Sequence, residues 1–224
     1  MPLIPLAPYV VGALAVFCAG SLAAQDYSIS VYSGYQSAPH SNVTGSDPAG
    51  AGDFDFTAGW DSKPFAMPPY YGVRGTWWLS ERFGLTADFN HTKVYADQET
   101  FDKSGFEVLE FTDGLNNLTF GGVWRWPAAW GDKLTPYAGL SAGLIIPHVE
   151  VQTTPTAPKT FEYQVAGPSV AWIAGASFEM NERWDVFGEY KGTYSQLNAD
   201  LEGGGSLRTD IVTNAINLGV AFKF

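Results

Sequence analysis

The stretch DIVTNAINLGVAFKF, residues 210–224, ends on a phenylalanine and alternates apolar residues with polar or small ones. Successive side chains of a strand point to opposite sides, so a period of two predicts a strand with one apolar face. The apolar set is Ile216, Leu218, Val220, Phe222 and Phe224. That face must meet either a second sheet, as in a soluble sandwich, or lipid, as in an outer-membrane barrel.

The first 24 residues are apolar and uncharged and end in small residues. They fit a secretory signal with cleavage near Ala23, so we expect a signal peptide over 1–24 and a barrel domain over 25–224. Because no Lys or Arg stands near Met1, an atypical signal, a start codon placed too far downstream and a membrane anchor are the alternatives. Cys18 is the only cysteine, so the mature domain would hold no disulfide and no thiolate metal site.

The composition favours strands over helices. The chain has 25 Gly, 8 Trp, 11 Tyr and 15 Phe, and only 16% of its residues are charged. Beyond the N-terminal segment no apolar run is long enough for a membrane helix, and the many glycines would weaken helices. The net charge of −11 speaks against nucleic acid as a partner.

Turn signals divide the chain into eight candidate strands, near 26–36, 69–79, 83–95, 114–126, 134–149, 165–179, 184–196 and 210–224. Their connections alternate between short ones and long ones, the long ones being 37–68, 96–113, 150–164 and 197–209. Outer-membrane barrels have short periplasmic turns and long extracellular loops, whereas a Greek-key sandwich would not sort its loops this way. The sequence therefore predicts an all-β, eight-stranded antiparallel transmembrane β-barrel in the outer membrane of a Gram-negative bacterium.

Charged residues also occur on the predicted inward faces of these strands. The interior of an eight-stranded barrel is only wide enough to be filled by side chains, and charges there must pair to offset desolvation. We predict an internal ion-pair network, in preference to a catalytic site, formed by Arg74, Asp88, Arg125, Glu189 and Lys191. Function is then expected on the loops or on the outer wall near them.

All three histidines fall at the predicted extracellular rim. His40 follows the first strand, His91 lies near the top of the third and His148 near the top of the fifth. On the third strand the alternate, outward-facing positions continue from His91 to Lys93 and Tyr95. Unless a β-bulge changes the register, these groups face outward at the depth of lipid headgroups; the alternative is that each is simply solvated or interfacial.

Carboxylates accompany the histidines at this rim: Glu110 and Asp113 in LEFTDGLN, and Glu150 in PHVEV. Histidine with carboxylate oxygens suits divalent transition metals, and the same pair can perform acid–base chemistry. Neither spacing is a metal motif by itself. The acidic loop 96–113 is ordinarily a solvated surface, although Mg²⁺ or Ca²⁺ could bridge it to lipid phosphates.

No dinucleotide fingerprint, phosphate-binding loop, Gly-x-Ser-x-Gly elbow or haem attachment site occurs in the sequence, so no organic cofactor is expected. Several blocks nevertheless resemble the lipid A oxidases of alpha-proteobacterial outer membranes, over nearly the whole mature chain. The blocks are QSAPHS (36–41), MPPYYGVRGTWW (67–78), DFNHTKVYAD (88–97), LEFTDGLN (109–116), PHVEV (147–151), FGEYKGTYS (187–195) and GGGSLRTDIVTNAINLGV (203–220).

The resemblance implies an O₂-dependent oxidation of the proximal glucosamine of lipid A to 2-aminogluconate, with H₂O₂ as co-product. C1 must be a free hemiacetal, so the expected substrate is 1-dephosphorylated lipid A, and the partners are lipid A, molecular oxygen and the membrane. The family offers no catalytic set to transfer, so the site is predicted from placement and chemistry. The catalytic candidates are His91, His148, Glu110 and Asp113; the substrate-binding candidates are Lys93, His40 and Tyr95; the ligands of a divalent metal of unknown identity are His91, His148 and Glu150.

Two other functions stay open at this point. A non-enzymatic barrel would use its loops for structural or adhesive contact, and barrel physics alone fits that function as well. An acyl-chain enzyme of the same membrane would change the fatty acids and leave the sugar intact.

Overall fold

The computed structural model describes residues 26–224, which form twelve β-strands and one short helix. In chain order they are β1 (Asp26–Ser37), β2 (Ser41–Asp47), β3 (Gly52–Ala58), β4 (Trp60–Asp61), β5 (Tyr71–Trp78), β6 (Phe83–Ala96), α1 (Gln98–Ser104), β7 (Val108–Arg125), β8 (Leu134–Gln152), β9 (Thr160–Tyr163), β10 (Gly167–Glu179), β11 (Trp184–Asp200) and β12 (Ser206–Lys223). The predicted signal segment 1–24, with Cys18 and the cleavage near Ala23, lies outside the described residues.

Eight of the strands close into a ring of antiparallel neighbours. The order is β1-β5-β6-β7-β8-β10-β11-β12, and β12 pairs again with β1. These are the eight predicted strands, so the all-β barrel is confirmed. Their short connections, 79–82, 126–133 and 180–183, lie at one end of the ring. The opposite end carries the long connections.

The structure adds elements that the sequence did not predict. The first long connection contains β2 and β3, which pair with each other and extend β12, and β4, which pairs with β6. In the other long connections, β9 pairs with β8 and α1 follows β6. The prediction of a long loop over 197–209 is wrong. Strands β11 and β12 continue through most of this range and leave only 201–205 as the connection.

The C-terminal strand β12 has the predicted apolar outer face. Ile216 and Leu218 are 62% and 74% exposed, whereas Asn217 between them is fully buried inside the ring. Exposed tryptophans follow near the short-connection end, at positions 77, 124, 126, 130 and 184. An apolar band with an aromatic girdle is the surface that a barrel presents to lipid.

The lumen holds a buried ion-pair network. The guanidinium of Arg74 donates to Asp88 Oδ2 at 2.7 Å and to both carboxylate oxygens of Glu189 at 2.7 and 2.9 Å. Lys191 donates to Asp88, and Tyr32 to the same carboxylate at 2.9 Å. The network is thereby confirmed for four of its five predicted members.

Arg125 is placed differently from the prediction. It lies at the short-connection end of the lumen, where its Nε donates to the carbonyl of Glu81 at 2.7 Å and its guanidinium lies 3.7 Å from the centre of the Trp78 ring. Arg125 is the last residue of β7, so its long side chain reaches the turn at the mouth of the barrel.

Toward the long-connection end the interior changes from polar to apolar. On β7 the inward residues Asn117 and Thr119 line the polar lumen, whereas Leu115, Phe111 and Leu109 belong to a dry core. A membrane strand needs about 9–11 residues, and β7 has 18. The excess length rises above the membrane, where the outside of the ring meets water and the inside has to be apolar.

The helix α1 lies in this upper part. Asp97 is its N-cap and accepts from Thr100 N and Thr100 Oγ1 at 2.8 and 2.7 Å, while Gly105 ends it in the left-handed conformation. These two donors hold the pKa of the Asp97 carboxyl below its ordinary value. Among residues 26–224, no helix is long and apolar enough to span a membrane.

Candidate functional site on the outer wall of the barrel

The outward parity of β6 continues to the rim as predicted. Between the outward positions, Asn90, Thr92 and Val94 are buried inside the ring, and Val94 belongs to the dry core. The pairing of β6 with β7 does shift between Thr92 and Val94. The extra residues lie on β7, between Phe111 and Leu115, so the alternation of β6 is undisturbed.

A cluster of possible metal ligands lies on this outer wall. Ligand atoms of Asp113, His148 and Glu150 all lie within 4.8 Å of one another. His148 Nδ1 is 3.4 Å from Glu150 Oε1 and 3.9 Å from Asp113 Oδ2, yet it is buried with no hydrogen-bond partner. A buried nitrogen without a partner, facing two carboxylates, fits a divalent transition metal such as Mn²⁺ or Fe²⁺.

Neighbouring residues hold the two ligands of β8 in place. Glu150 accepts from Lys159 Nζ at 3.0 Å and, more weakly, from Thr112 Oγ1 at 3.3 Å. The rings of Phe161 and Tyr163, on β9, pack edge-on against the His148 ring with centroids 4.5 and 4.7 Å away. The β8–β9 pairing therefore covers His148 and leaves it 5% exposed.

His91 lies on β6, the strand next to β7, and one of its ring nitrogens is already occupied. Its Nδ1 is 2.9 Å from Asn116 Oδ1, and the ring stacks on Tyr71 at a centroid distance of 5.2 Å. An amide oxygen accepts only, so Nδ1 carries the hydrogen and Nε2 keeps its lone pair. His91 Nε2 is buried without a hydrogen-bond partner, which leaves it able to accept a proton.

The predicted metal set is only partly assembled. His148 and Glu150 come together, but the third member of the group is Asp113 where His91 was expected. His91 is close enough to Asp113 and Lys93 for their charges to act on it. The structure therefore separates a possible metal group from an adjacent imidazole, although all of these residues share one wall.

Of the remaining predicted residues, Glu110 adjoins this cluster and His40 lies elsewhere. Glu110 is half-buried and pairs across the strands with both Tyr95 and Glu150. Lys93 Nζ lies 5.8 Å from the Tyr95 ring centre. His40 is exposed beyond β1, and the charge close to it is that of Asp97. Its placement gives no support to a substrate-binding role at the cluster.

The site is more deeply covered than a rim of solvated side chains would be. Lys93 is 1% exposed because its Nζ donates to the carbonyl of Ala66, at 2.7 Å, in the segment before β5. Sequence reasoning missed Asn116, Tyr71 and Tyr163. Cross-strand pairing of β6 with β7 would have indicated Asn116, since it lies opposite His91, but no sequence signal indicated that β9 would fold back over His148.

A closed antiparallel ring with an apolar outer band defines an outer-membrane β-barrel. Residues 10–224 match the family model described as the outer membrane protein beta-barrel domain, and the chain belongs to that family. The protein is therefore an outer-membrane protein of a Gram-negative bacterium. A search of curated proteins found no significant match.

Solved structures of similar fold are also outer-membrane barrels. Neisserial surface protein A matches with a TM-score of 0.50 at 10% identity, covering 88% of this chain and 97% of its own. Ail of Yersinia pestis matches with a TM-score of 0.41 at 14% identity, covering 89% and 99%, and OprG of Pseudomonas aeruginosa with 0.40 at 12%, covering 89% and 96%. At 10% identity the likeness to Neisserial surface protein A shows the fold alone, and no conclusion rests on the two matches with lower TM-scores.

Proposed function

We propose that the protein oxidises the proximal glucosamine of 1-dephosphorylated lipid A at the outer-wall cluster. The observation that carries the proposal is the placement of His91, Lys93, His148 and Glu150, which are polar, at least 93% buried, and on the side of the strands that faces lipid lower down. Two of their nitrogens, His91 Nε2 and His148 Nδ1, are buried without a hydrogen-bond partner, which costs free energy and has no purpose in a purely structural wall. The resemblance to lipid A oxidases supplies the substrate.

The proposed reaction balances with oxygen as the only oxidant. The C1 hemiacetal of the sugar loses two electrons and two protons and becomes a lactone, while O₂ gains them and becomes H₂O₂. Water then opens the lactone to 2-aminogluconate. The lipid gains one oxygen atom in total, and a 1-phosphate would block the first step because C1 then carries no free hydroxyl.

The chain's own residues supply the proton transfer and the binding. His91 Nε2 accepts the proton of the C1 hydroxyl, since Asn116 holds the hydrogen on Nδ1. Asp113, His148 and Glu150 would hold a divalent metal, which when bound would supply the route for electrons to oxygen. Glu110 and Lys159 place a carboxyl group and an ammonium group beside Glu150, and so affect the electrostatic potential there.

A structural or adhesive barrel without enzymatic activity is the second candidate. The comparisons support it more directly than they support the oxidase, because the family is defined by its barrel and the neighbour with a TM-score of 0.50 is described as a surface protein. The filled lumen and the folded upper part would suit a contact surface. The two candidates differ in whether the outer-wall cluster is needed.

Mass spectrometry of lipid A tests the proposal. The full chain is expressed, with air, in a host that makes 1-dephosphorylated lipid A, alongside His91→Gln and the exposed control His40→Gln. The expected result is a lipid heavier by one oxygen on the proximal sugar, reduced about 100-fold or more by His91→Gln and unchanged by His40→Gln. Unmodified lipid beside a folded surface barrel would reject the oxidase, and altered fatty acids would indicate an acyl-chain enzyme.

A further inference from the structure

Residues 63–69, the end of the first long connection, lie against the outside of the barrel. Ser33, on the outward side of β1, donates its Oγ to the carbonyl of Tyr70 at 2.7 Å where this segment enters β5. Lys93 reaches from the outer wall of β6 to the carbonyl of Ala66. The ammonium of Lys63 lies 4.4 Å from the centre of the Tyr95 ring. Three contacts, one of them at Tyr70 just beyond the segment, therefore fix this turn on the outer side of the wall.

The turn directs two large apolar side chains away from the protein. Phe65 is 72% and Met67 is 82% exposed, although both belong to a segment that the wall holds in place. Phe65 is in contact with the ring of Tyr35, with centroids 6.5 Å apart. Exposed apolar side chains on a fixed turn indicate a partner that is itself apolar.

The neighbours of Phe65 show which partner this is. Tyr35 is exposed on β1 and pairs across the strands with Ile216, which belongs to the lipid-facing set of β12. Going further up β12, the outward positions are Asn214, Val212 and then Asp210, two of which are polar. Phe65 and Met67 therefore continue the apolar band at its upper edge, where it meets the outer leaflet.

We propose that residues 63–69 form a membrane clip, whose Phe65 and Met67 insert among the acyl chains of outer-leaflet lipid. Aromatic and apolar side chains at this depth anchor a barrel, and Lys63 beside them suits the lipid phosphates. Lys93 joins the clip directly to the wall that bears His91. A lipid whose acyl chains contact the clip is therefore held with its headgroup beside the cluster. This last consequence rests on the proposed function, whereas the insertion does not.

Site-directed fluorescence tests the insertion without any assay of activity. In a full chain with Cys18→Ser, Met67→Cys and Phe65→Cys are each labelled with a polarity-sensitive dye and refolded into phosphatidylcholine vesicles. Asp102→Cys on α1 and Thr156→Cys in the β8–β9 connection are the matched controls. The expected result is blue-shifted emission and quenching by nitroxide-labelled acyl chains at 65 and 67, with quenching by aqueous iodide at 102 and 156. Iodide quenching at 65 and 67 equal to that of the controls would overturn the clip.

A second measurement tests the coupling to the site. For the double variant Phe65→Ser, Met67→Ser, we expect KM for lipid A in vesicles to rise about tenfold, equivalent to about 1.4 kcal/mol of binding, with little change for the same lipid in detergent micelles. Equal KM values in vesicles would reject the coupling. If wild type inserts the clip but oxidises nothing, the proposed function fails and the clip stands; if it oxidises lipid while position 67 is aqueous, the reverse holds.

Discussion

At the scale of single residues, Asn116 determines which nitrogen of His91 is available. We expect Asn116→Leu to lower oxidase activity by about 10–100-fold, by analogy with the loss of a hydrogen-bond partner that orients a metal-bound histidine. Asn116→Asp should retain more activity because it still accepts from Nδ1. Nitrogen NMR of the histidines checks the cause, since the Leu variant should show a mixture of the two tautomers of His91.

An unchanged tautomer in Asn116→Leu would contradict the positioning role even if activity fell. The space for the amide depends on Gly114, which has a φ of +131°, and a Cβ there would lie 2.5 Å from the Asn116 side chain. Gly114→Ala should therefore reproduce the defect of Asn116→Leu.

The second prediction at this scale concerns the metal. Calorimetric titration of the refolded chain with Mn²⁺ should show one site, and His148→Gln should weaken it by about tenfold or more because one of three ligands is lost. Chelation should lower the Tm of wild type by more than that of His148→Gln, since the stabilisation falls as the affinity for the metal falls. Equal affinity in wild type and His148→Gln, with His40→Gln as control, would remove the metal from the proposed mechanism.

At the scale of elements, α1 depends on its cap. Asp97→Ala should destabilise the helix by about 1 kcal/mol, and hydrogen exchange at the amide of Thr100 should quicken accordingly. The cap acts through a carboxylate whose pKa is lowered. Its contribution is therefore complete above the unfolded pKa of about 4 and is lost as the pH falls further, through the folded pKa.

Exchange at Thr100 in wild type should thus approach that of Asp97→Ala only in acid, after correction for intrinsic exchange rates. Protection that is independent of pH down to the acid limit would mean that the Asp97 carboxylate is not what holds the helix. Asp102→Ala, which changes an exposed residue of the same helix, is the control.

The elements also show where sequence reasoning succeeds and where it stops. The barrel strands were predictable because lipid outside and polar side chains inside impose a period of two, as at Ile216 and Asn217. Strand β3, GDFDFTA, has the same alternation, but it lies among glycines and prolines that indicated a loop.

The helix α1 has an Asp97 cap, a Gly105 end and a Lys103–Glu99 pair, which would have sufficed to predict it.

The site could be predicted only in part for a different reason. Parity placed His91, Lys93 and His148 on the outer wall, because it follows from the strand alone. Their burial follows from contacts with Ala66 and Tyr163, which come from connections distant in the sequence. Asp113 takes the place expected for His91 in the metal group because of the bulge in β7. No local sequence pattern predicts a bulge there.

At the scale of the whole molecule, the lumen network fixes the lower half of the barrel. Arg74→Met should destabilise the folded barrel by about 3–5 kcal/mol, because it leaves the buried carboxylate of Glu189 without its cation. Urea unfolding in vesicles measures this. The exposed control Lys103→Met should leave the midpoint unchanged.

The combined variant Arg74→Met, Glu189→Leu should recover part of the loss, since both charges are then absent. If Arg74→Met and the control unfold at the same urea concentration, the network does not stabilise the barrel.

The change of interior on β7, from Asn117 in the lumen to Leu115 in the dry core, divides the molecule between two kinds of natural selection. Below that boundary a lineage can vary its inward polar residues as long as charges stay paired, while its outward ones must stay oily. Above it the demands are reversed, as in any water-soluble protein. The two halves can therefore diverge at different rates, and new surface properties can evolve on the upper half without endangering insertion of the lower.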